Sequence, residues 1–489
     1  MPAINSGSPA SSKVLLAATA PNFQQTKSSR SRLGLTLRKN TRDLAVPDKK
    51  PSTPAAPSIV ADVACTGCGC VCDDIDLVVE SGRIAEARRA CTLGEAWFIG
   101  QADPSPPACL IEGQQAELAD GIDRAAQILA SARYPLFYGL RHTSSEAQQA
   151  AASLADVVGG ILDTPTSTHH GPWGVSFQGV GEVTSSLGEV ANRGDLIIFW
   201  GVDPVVSHPR HFERYSLFPK GMFVPRGRQD RTVVVVDVER TASADEADLF
   251  LEVPRHRDFE ALWTLRALAA DCQLEPQQVL EATGRPLADW QNLMDRMKRA
   301  RFGVIFFGTG LAMTEGKHLN SEALLAVVRE MNAHTRFVAK TMRGPGNVTG
   351  AENVLAWRTG FSFAVNLARG YPRFNPGEYS ADDVLARGEA DAAVIVQCDV
   401  SEDFGDQARR HLAAIPHVVI DHRPTETTRA ATVAFHTATA GIHTGGTVYR
   451  MDDVPLPLRP ALASPLEGDL EILERIEMRV RQLQSSAAS

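Results

Sequence analysis

The feature that most constrains this chain is a series of short, unbroken apolar runs that end in glycine, aspartate or cysteine. Runs at 134–139, 195–201, 232–237, 303–308, 393–398 and 418–421 are separated by longer stretches with helical spacing. A strand without polar alternation is covered on both faces, and intervening helices provide that cover in a parallel sheet. The expected class is therefore α/β, with more than one doubly wound parallel sheet. After the run at 134–139, Ser144, Ser145 and Glu146 suit a helix start, giving a strand-then-helix unit. Several runs end where such folds build ligand sites, at the carboxyl edge of the sheet.

The 489 residues are 44% hydrophobic and 22% charged, enough for a large buried core and roughly two to four domains. A net charge of −9 and a pI near 5.8 argue against a nucleic-acid partner, which leaves a basic footprint. No window holds the ~18–20 unbroken apolar residues of a membrane span. Residues 1–57 differ, carrying nine Lys/Arg and two acids, Asp43 and Asp48. They read as a disordered basic tail. A targeting segment built on Lys13 and the apolar run 14–20 is the competing reading. Clustered reduced thiols fit a cytoplasmic chain better. At the other end, residues 467–481 show apolar spacing of helical period, an expected terminal helix with its apolar face in the core.

Four of the eight cysteines fall within Cys65-Thr-Gly-Cys-Gly-Cys-Val-Cys72. Cys65, Cys68 and Cys72 give C-x2-C-x3-C, and Cys91 follows after eighteen residues, so four thiolates could meet at one centre. In a cytoplasmic enzyme that clustering points to metal before disulfide. Iron–sulfur and zinc centres both accept four cysteines, and a small zinc-stapled segment or free thiols stay open on spacing alone. Cys70 is then a spare. Cys109, Cys272 and Cys398 are isolated and read as small buried hydrophobes.

The cysteine segment with Asp73-Asp74-Ile75 and Ala90-Cys91-Thr92-Leu93-Gly94 resembles the amino-terminal iron–sulfur segment of the B subunit of formylmethanofuran dehydrogenase, a molybdopterin- or tungstopterin-containing relative of formate dehydrogenase. The resemblance runs collinearly from 60 to about 455, through His170-Gly-Pro172, Phe199-Trp-Gly201, His208-Pro-Arg-His211, Arg226-Gly-Arg228, Phe306-Phe-Gly308, Met342-Arg-Gly344, Asn347-Val-Thr-Gly350 and Gly446-Thr447. It implies a [4Fe–4S] cluster on Cys65, Cys68, Cys72 and Cys91. It implies active-site roles for His170 and Arg343, and a pterin guanine dinucleotide near Asp237, Arg240, Thr241 and Gly308. It implies formate-dehydrogenase-like domains: a cysteine-bearing segment at 58–112, a discontinuous α/β domain at 113–165 plus 344–489, an inserted one at 166–343, and no closing β-barrel domain.

The departures are informative. Active members carry a metal-ligating cysteine or selenocysteine just before His-Gly-Pro, where this chain has His169. Thr432 and His436 replace an acidic residue and a proline, and the glutamate before Gly446-Thr447 is missing. These changes imply that the molybdenum or tungsten pterin is not held and that His170 and Arg343 are vestigial. The pattern is most similar to the B subunit of the bacterial formyltransferase/hydrolase complex, which works in tetrahydromethanopterin-linked one-carbon metabolism of methylotrophic bacteria. There the D subunit, a formyltransferase, passes the formyl group to a methanofuran-type carrier. The A subunit, an amidohydrolase, releases formate, and the C subunit completes the assembly. The expectation is a non-redox scaffold. The competing readings are an active dehydrogenase subunit interconverting formyl-methanofuran and carbon dioxide, and an electron-transfer module with no substrate site.

Overall fold

The computed structural model describes residues 57–100 and 106–488. Almost all of the expected basic tail, including the apolar run 14–20, lies outside the described residues.

The apolar runs become the central strands of two sheets. One has five strands in the order Leu249–Glu252, Thr232–Asp237, Leu196–Trp200, Phe302–Phe307, Arg336–Thr341, every pair parallel. The other has nine, in the order Arg373–Phe374, Val365–Asn366, Ile161–Asp163, Pro135–Gly139, Ala392–Val396, His417–Asp421, Val433–His436, Cys109–Ile111, Gln114–Gln115. Its middle strands, from Ile161–Asp163 to Val433–His436, run parallel, and the strands outside them are antiparallel. The inner strands are buried along their whole length, which is why their sequences lack polar alternation.

Both sheets reverse their winding direction once. Pro135–Gly139 has the next strand of the chain on one side and Ala392–Val396 on the other. Leu196–Trp200 likewise lies between Thr232–Asp237 and Phe302–Phe307. Reversal opens a crevice at the carboxyl ends of the strands, because the connections leave in opposite directions.

Helices cover the sheets for local reasons that are visible. Ser144 caps helix Ser145–Val158 by accepting from the Ala147 amide at 3.2 Å. Gly159 ends that helix in the left-handed region at φ 66°. The terminal helix Asp469–Ala488 buries Ile472, Leu473, Ile476 and Val480 in the core of the larger sheet, as its spacing predicts. The cysteine segment is an antiparallel sheet of Ser58–Val63, Ile75–Glu80 and Arg83–Arg88, with the cysteine loop between its first two strands and helix Thr92–Ile99 after its last. Among the described residues no helix is long and apolar enough to cross a membrane.

Candidate functional site

The cysteine loop is closed by its own backbone and held by distant segments. The Cys65 amide donates to the Cys72 carbonyl at 2.8 Å, and the Val71 amide to the Cys68 carbonyl at 3.2 Å. The amides of Gly346 and Met451 donate to the carbonyls of Thr66 and Gly69 at 2.8 and 3.0 Å. Two glycines are required here. A Cβ on Gly69 would run into the Arg343 carbonyl, and one on Gly94 would come within 3.0 Å of the Cys65 sulfur and 4.0 Å of the Cys91 sulfur.

Cys65, Cys68, Cys70 and Cys72 are buried in one apolar cluster. Cys91 precedes helix Thr92–Ile99 and makes no side-chain cap, so its thiol stays free of that duty. Burial pushes the Cys72 thiol up to about 11, against the Arg214 guanidinium beside it. Burial also raises Cys65, and negative charge on Cys72, Cys68 and Cys91 would raise it further. Cys68 moves the other way because Cys70 donates to it. These four thiolates repel one another unless a cationic centre joins them. Among the described residues no three His, Cys, Asp or Glu side chains are placed around a single metal ion. The donor set and the space left by Gly94 are compatible with a multi-iron cluster, which Cys65, Cys68, Cys72 and Cys91 would hold.

A cavity of about 440 Å³ adjoins the loop, lined among others by Cys68, Arg141, His169, His170, His208 and Gly308. It lies where the crevices of both sheets open: Arg141 follows Pro135–Gly139, and Gly308 follows Phe302–Phe307. Leu140 and Gln397, just beyond two adjacent strands, are both left-handed at φ 68° and 51°, a conformation unusual for non-glycine residues and one that turns the chain sharply.

His169 is tied into a polar network. Its Nε2 lies 3.1 Å from Asp403 Oδ1 and 3.3 Å from Arg141 Nη2. Arginine only donates and carboxylate only accepts, so this nitrogen serves one partner at a time. Arg141 Nη2 donates to both Asp403 oxygens at 3.2 Å, while Tyr138 and Cys398 donate to Oδ2 at 3.0 and 3.1 Å. Burial opposes ionisation of Asp403, but the His169 hydrogen bond and the Arg141 charge outweigh it and hold the carboxyl at about 2.

His170 is buried, its Nδ1 has no partner among the described residues, and burial with the nearby Arg343 charge keeps the ring neutral. His208 donates from Nε2 to the Arg343 carbonyl at 2.8 Å, and burial brings it down to about 4. The Arg343 side chain points elsewhere. It pairs with Glu352 and stacks 4.2 Å from the Trp173 ring centroid, beside a second cavity of about 250 Å³.

Of the residues expected near a dinucleotide, only Gly308 lines the 440 Å³ cavity. Asp237 accepts from the Val238 amide at 2.7 Å, Arg240 donates to the Ala244 carbonyl at 3.1 Å, and Thr241 precedes the short helix Ala242–Glu246. A bound molybdenum or tungsten would need a soft anionic donor from residue 169. The imidazole there, already engaged by a carboxylate, does not fit that requirement. Cys109 and Cys398 are buried as expected, but Cys272 is exposed. It lies in the polar turn after helix Asp258–Ala269, beside left-handed Asp271.

No family model matches the chain. A parallel and a largely parallel sheet with a cysteine-loop segment at their crevices make a molybdopterin-oxidoreductase-like fold, and solved structures agree. The formyltransferase/hydrolase complex FhcABCD of Methylorubrum extorquens, in complex with methylofuran, contains a chain matched with a TM-score of 0.62 at 22% identity, over 77% of this chain and 100% of that one. Acetylene hydratase of Pelobacter acetylenicus matches with a TM-score of 0.64 at 10% identity, over 86% and 69%. In sequence, the chain is 39% identical over 435 residues to the B subunit of tungsten-containing formylmethanofuran dehydrogenase 2 of Methanocaldococcus jannaschii, covering 87% of this chain and 99% of that protein. The Methanococcus maripaludis counterpart is 38% identical over 432 residues, covering 87% and 99%. The chain belongs to the family of formylmethanofuran dehydrogenase B subunits. Similarity to the B subunit of the formyltransferase/hydrolase complex Fhc of Methylorubrum extorquens is weaker, 27% over 296 residues, or 59% of this chain and 74% of that protein. Identity therefore leans toward the dehydrogenase proteins.

Proposed function

We propose that the chain is the B subunit of a formyltransferase/hydrolase-type complex and keeps the dehydrogenase fold as a non-redox scaffold. The carrying observation is His169, whose Nε2 is engaged by Asp403 and Arg141 where active relatives present a metal thiolate. An imidazole in an ion-pair network is a poor replacement for a soft anion on a high-valent metal. Arg343, paired with Glu352, is also withdrawn from the cavity that His170 lines. The partners in this reading are the A subunit, an amidohydrolase, the D subunit, a formyltransferase, and the C subunit, handling a formyl group on a methanofuran-type carrier in the cytoplasm. The neighbour from FhcABCD, matched over the whole of its own chain, supports this assembly. Cys65, Cys68, Cys72 and Cys91 would hold a [4Fe–4S] cluster, a one-electron carrier when bound, whose role here is to tie the amino-terminal segment to the body. No pterin dinucleotide is held in this reading: Asp237 and Arg240 bond to nearby backbone, and Thr241 precedes the short helix Ala242–Glu246 without a side-chain cap.

A second reading, an active molybdenum or tungsten subunit interconverting formyl-methanofuran with carbon dioxide, has specific support. Identities of 39% and 38% to tungsten-containing relatives exceed the 27% to the bacterial one, and His170 and Arg343 are retained. On similarity alone this second reading is the better supported. Elemental analysis with low-temperature EPR on the complex purified without oxygen separates the two. The scaffold requires neither molybdenum nor tungsten; about four irons per chain would mean a retained cluster, and no iron would make the cysteines structural thiols or a zinc site. Stoichiometric molybdenum or tungsten, with oxidation of formyl-methanofuran, would replace the scaffold by the dehydrogenase.

A further inference from the structure

The loop at 217–224, Leu-Phe-Pro-Lys-Gly-Met-Phe-Val, holds three large apolar side chains in solvent: Phe218, Phe223 and Met222, the last 79% exposed. Single apolar residues scattered over a surface are ordinary, but three on one short turn are not. The turn is also fixed along its length. Gly221 and Val224 exchange two backbone hydrogen bonds of 3.2 Å, and Val224 is buried. Asn192 accepts the Phe223 amide on its carbonyl at 3.0 Å and the Met222 amide on its side-chain oxygen at 3.3 Å. The Phe223 carbonyl accepts from Arg301 at 3.0 Å. At the base, the buried Arg231 guanidinium donates to the carbonyls of Leu217, Pro219 and Ala191 at 2.9, 2.7 and 2.8 Å. A Cβ on Gly221 would run into the Ala191 carbonyl, so the turn sits hard against helix Leu187–Arg193.

A loop free to move would lay such side chains onto the body of the protein. Held as it is, this one has already lost the conformational freedom that docking would otherwise remove. Rigid apolar anchors of this kind dominate the energetics of protein interfaces when they enter a partner's pocket. The outer face is cationic, although the chain carries a net charge of −9. Lys220 is exposed and has no ion pair among the described residues. Arg226 and Arg301 face solvent at 68% and 66%, while their acid partners Asp230 and Asp195 are withdrawn to 11% and 13%. Arg193, paired with Glu189 at 3.6 Å, lays its guanidinium 4.9 Å from the Phe223 ring centroid.

We propose that the turn at 217–224 is a docking knuckle for another subunit of the assembly, with Met222 as its anchor, and that this partner presents an apolar pocket with an acidic rim. The inference rests on the assembly given under Proposed function. A second copy of this chain is the poorer occupant, because a two-fold contact through the knuckle sets Lys220 and its arginine neighbours against their own copies.

The test uses the purified complex, with a photo-reactive benzoyl-phenylalanine at position 222 and, separately, Met222→Asp and Lys220→Glu. Irradiation should join this chain to a different subunit, through a segment in which Asp or Glu flanks apolar residues. Met222→Asp should weaken retention of that subunit about tenfold or more without moving the melting temperature of the chain itself. Lys220→Glu should weaken it by less, about threefold, and the difference should shrink at high salt. Crosslinks only between copies of this chain, or none to any subunit, overturn the proposal, as does unchanged assembly in Met222→Asp. Binding of the wild type to phosphatidylserine vesicles that Met222→Asp abolishes overturns it by making the turn a membrane contact. A wild type that purifies without any other subunit overturns the assembly reading itself. If Met222→Asp lowers the melting temperature, the crosslink and Lys220→Glu decide.

Discussion

At position 169 the sequence names the replaced residue but not what holds it. His169 and Asp403 are 234 residues apart in the chain. No local pattern marks that contact, so Asp403 was not legible, although the apolar run before it ends in Cys398, which the sequence does single out. The Asp403 carboxylate is the buried hub of this network, its side chain 1% exposed against 16% for Arg141. Replacing Asp403 by Asn should lower stability by about 2–3 kcal/mol at neutral pH, because it leaves a mostly buried guanidinium without its counter-charge. The sign of the pH dependence follows from a carboxyl held at about 2 in the folded protein, below its ordinary unfolded value of about 3.9. The contribution is complete above about pH 4 and fades as pH falls through about 2. Urea denaturation of both proteins across that range should show their stabilities converging; a gap that persists at the acid end would mean the carboxylate charge is not what Arg141 needs.

The elements divide by length into those the sequence discloses and those it does not. The runs at 232–237 and 303–308 match Thr232–Asp237 and Phe302–Phe307 to within a residue. Ile161–Asp163, Val365–Asn366 and Cys109–Ile111 are too short to show a period, and their places come from pairing with distant strands. The π-helical turn Phe212–Ser216 has no sequence signature either, so nothing in the sequence marks Arg214, while the cysteine loop declares itself through spacing alone. That loop depends on its glycines. Gly69→Ala should cost about 1–3 kcal/mol, because the new methyl group meets the Arg343 backbone and not a flexible side-chain tip. A lower melting temperature together with reduced iron retention is the expected result, and a variant indistinguishable from wild type in both would show that the loop can shift without penalty.

Across the whole molecule, the two sheets draw together residues from opposite ends of the chain. The larger sheet pairs Val433–His436 with Cys109–Ile111, and the cysteine loop takes amide bonds from Gly346 and Met451. Substituting Cys65 and Cys68 together by Ala should therefore weaken stability or assembly while formate release by an already assembled complex persists. Intact assembly with loss of electron transfer from formyl-methanofuran would count against the scaffold. The same clamping bears on how the protein matures. Cysteines as buried as Cys65 at 5% exposure and Cys68 at 7%, roofed by segments synthesised hundreds of residues later, offer little access to a late-arriving donor of iron. If the proposed cluster is bound, its delivery belongs to biosynthesis, before the last third of the chain closes, and a molecule that missed that moment would have to open again to be filled.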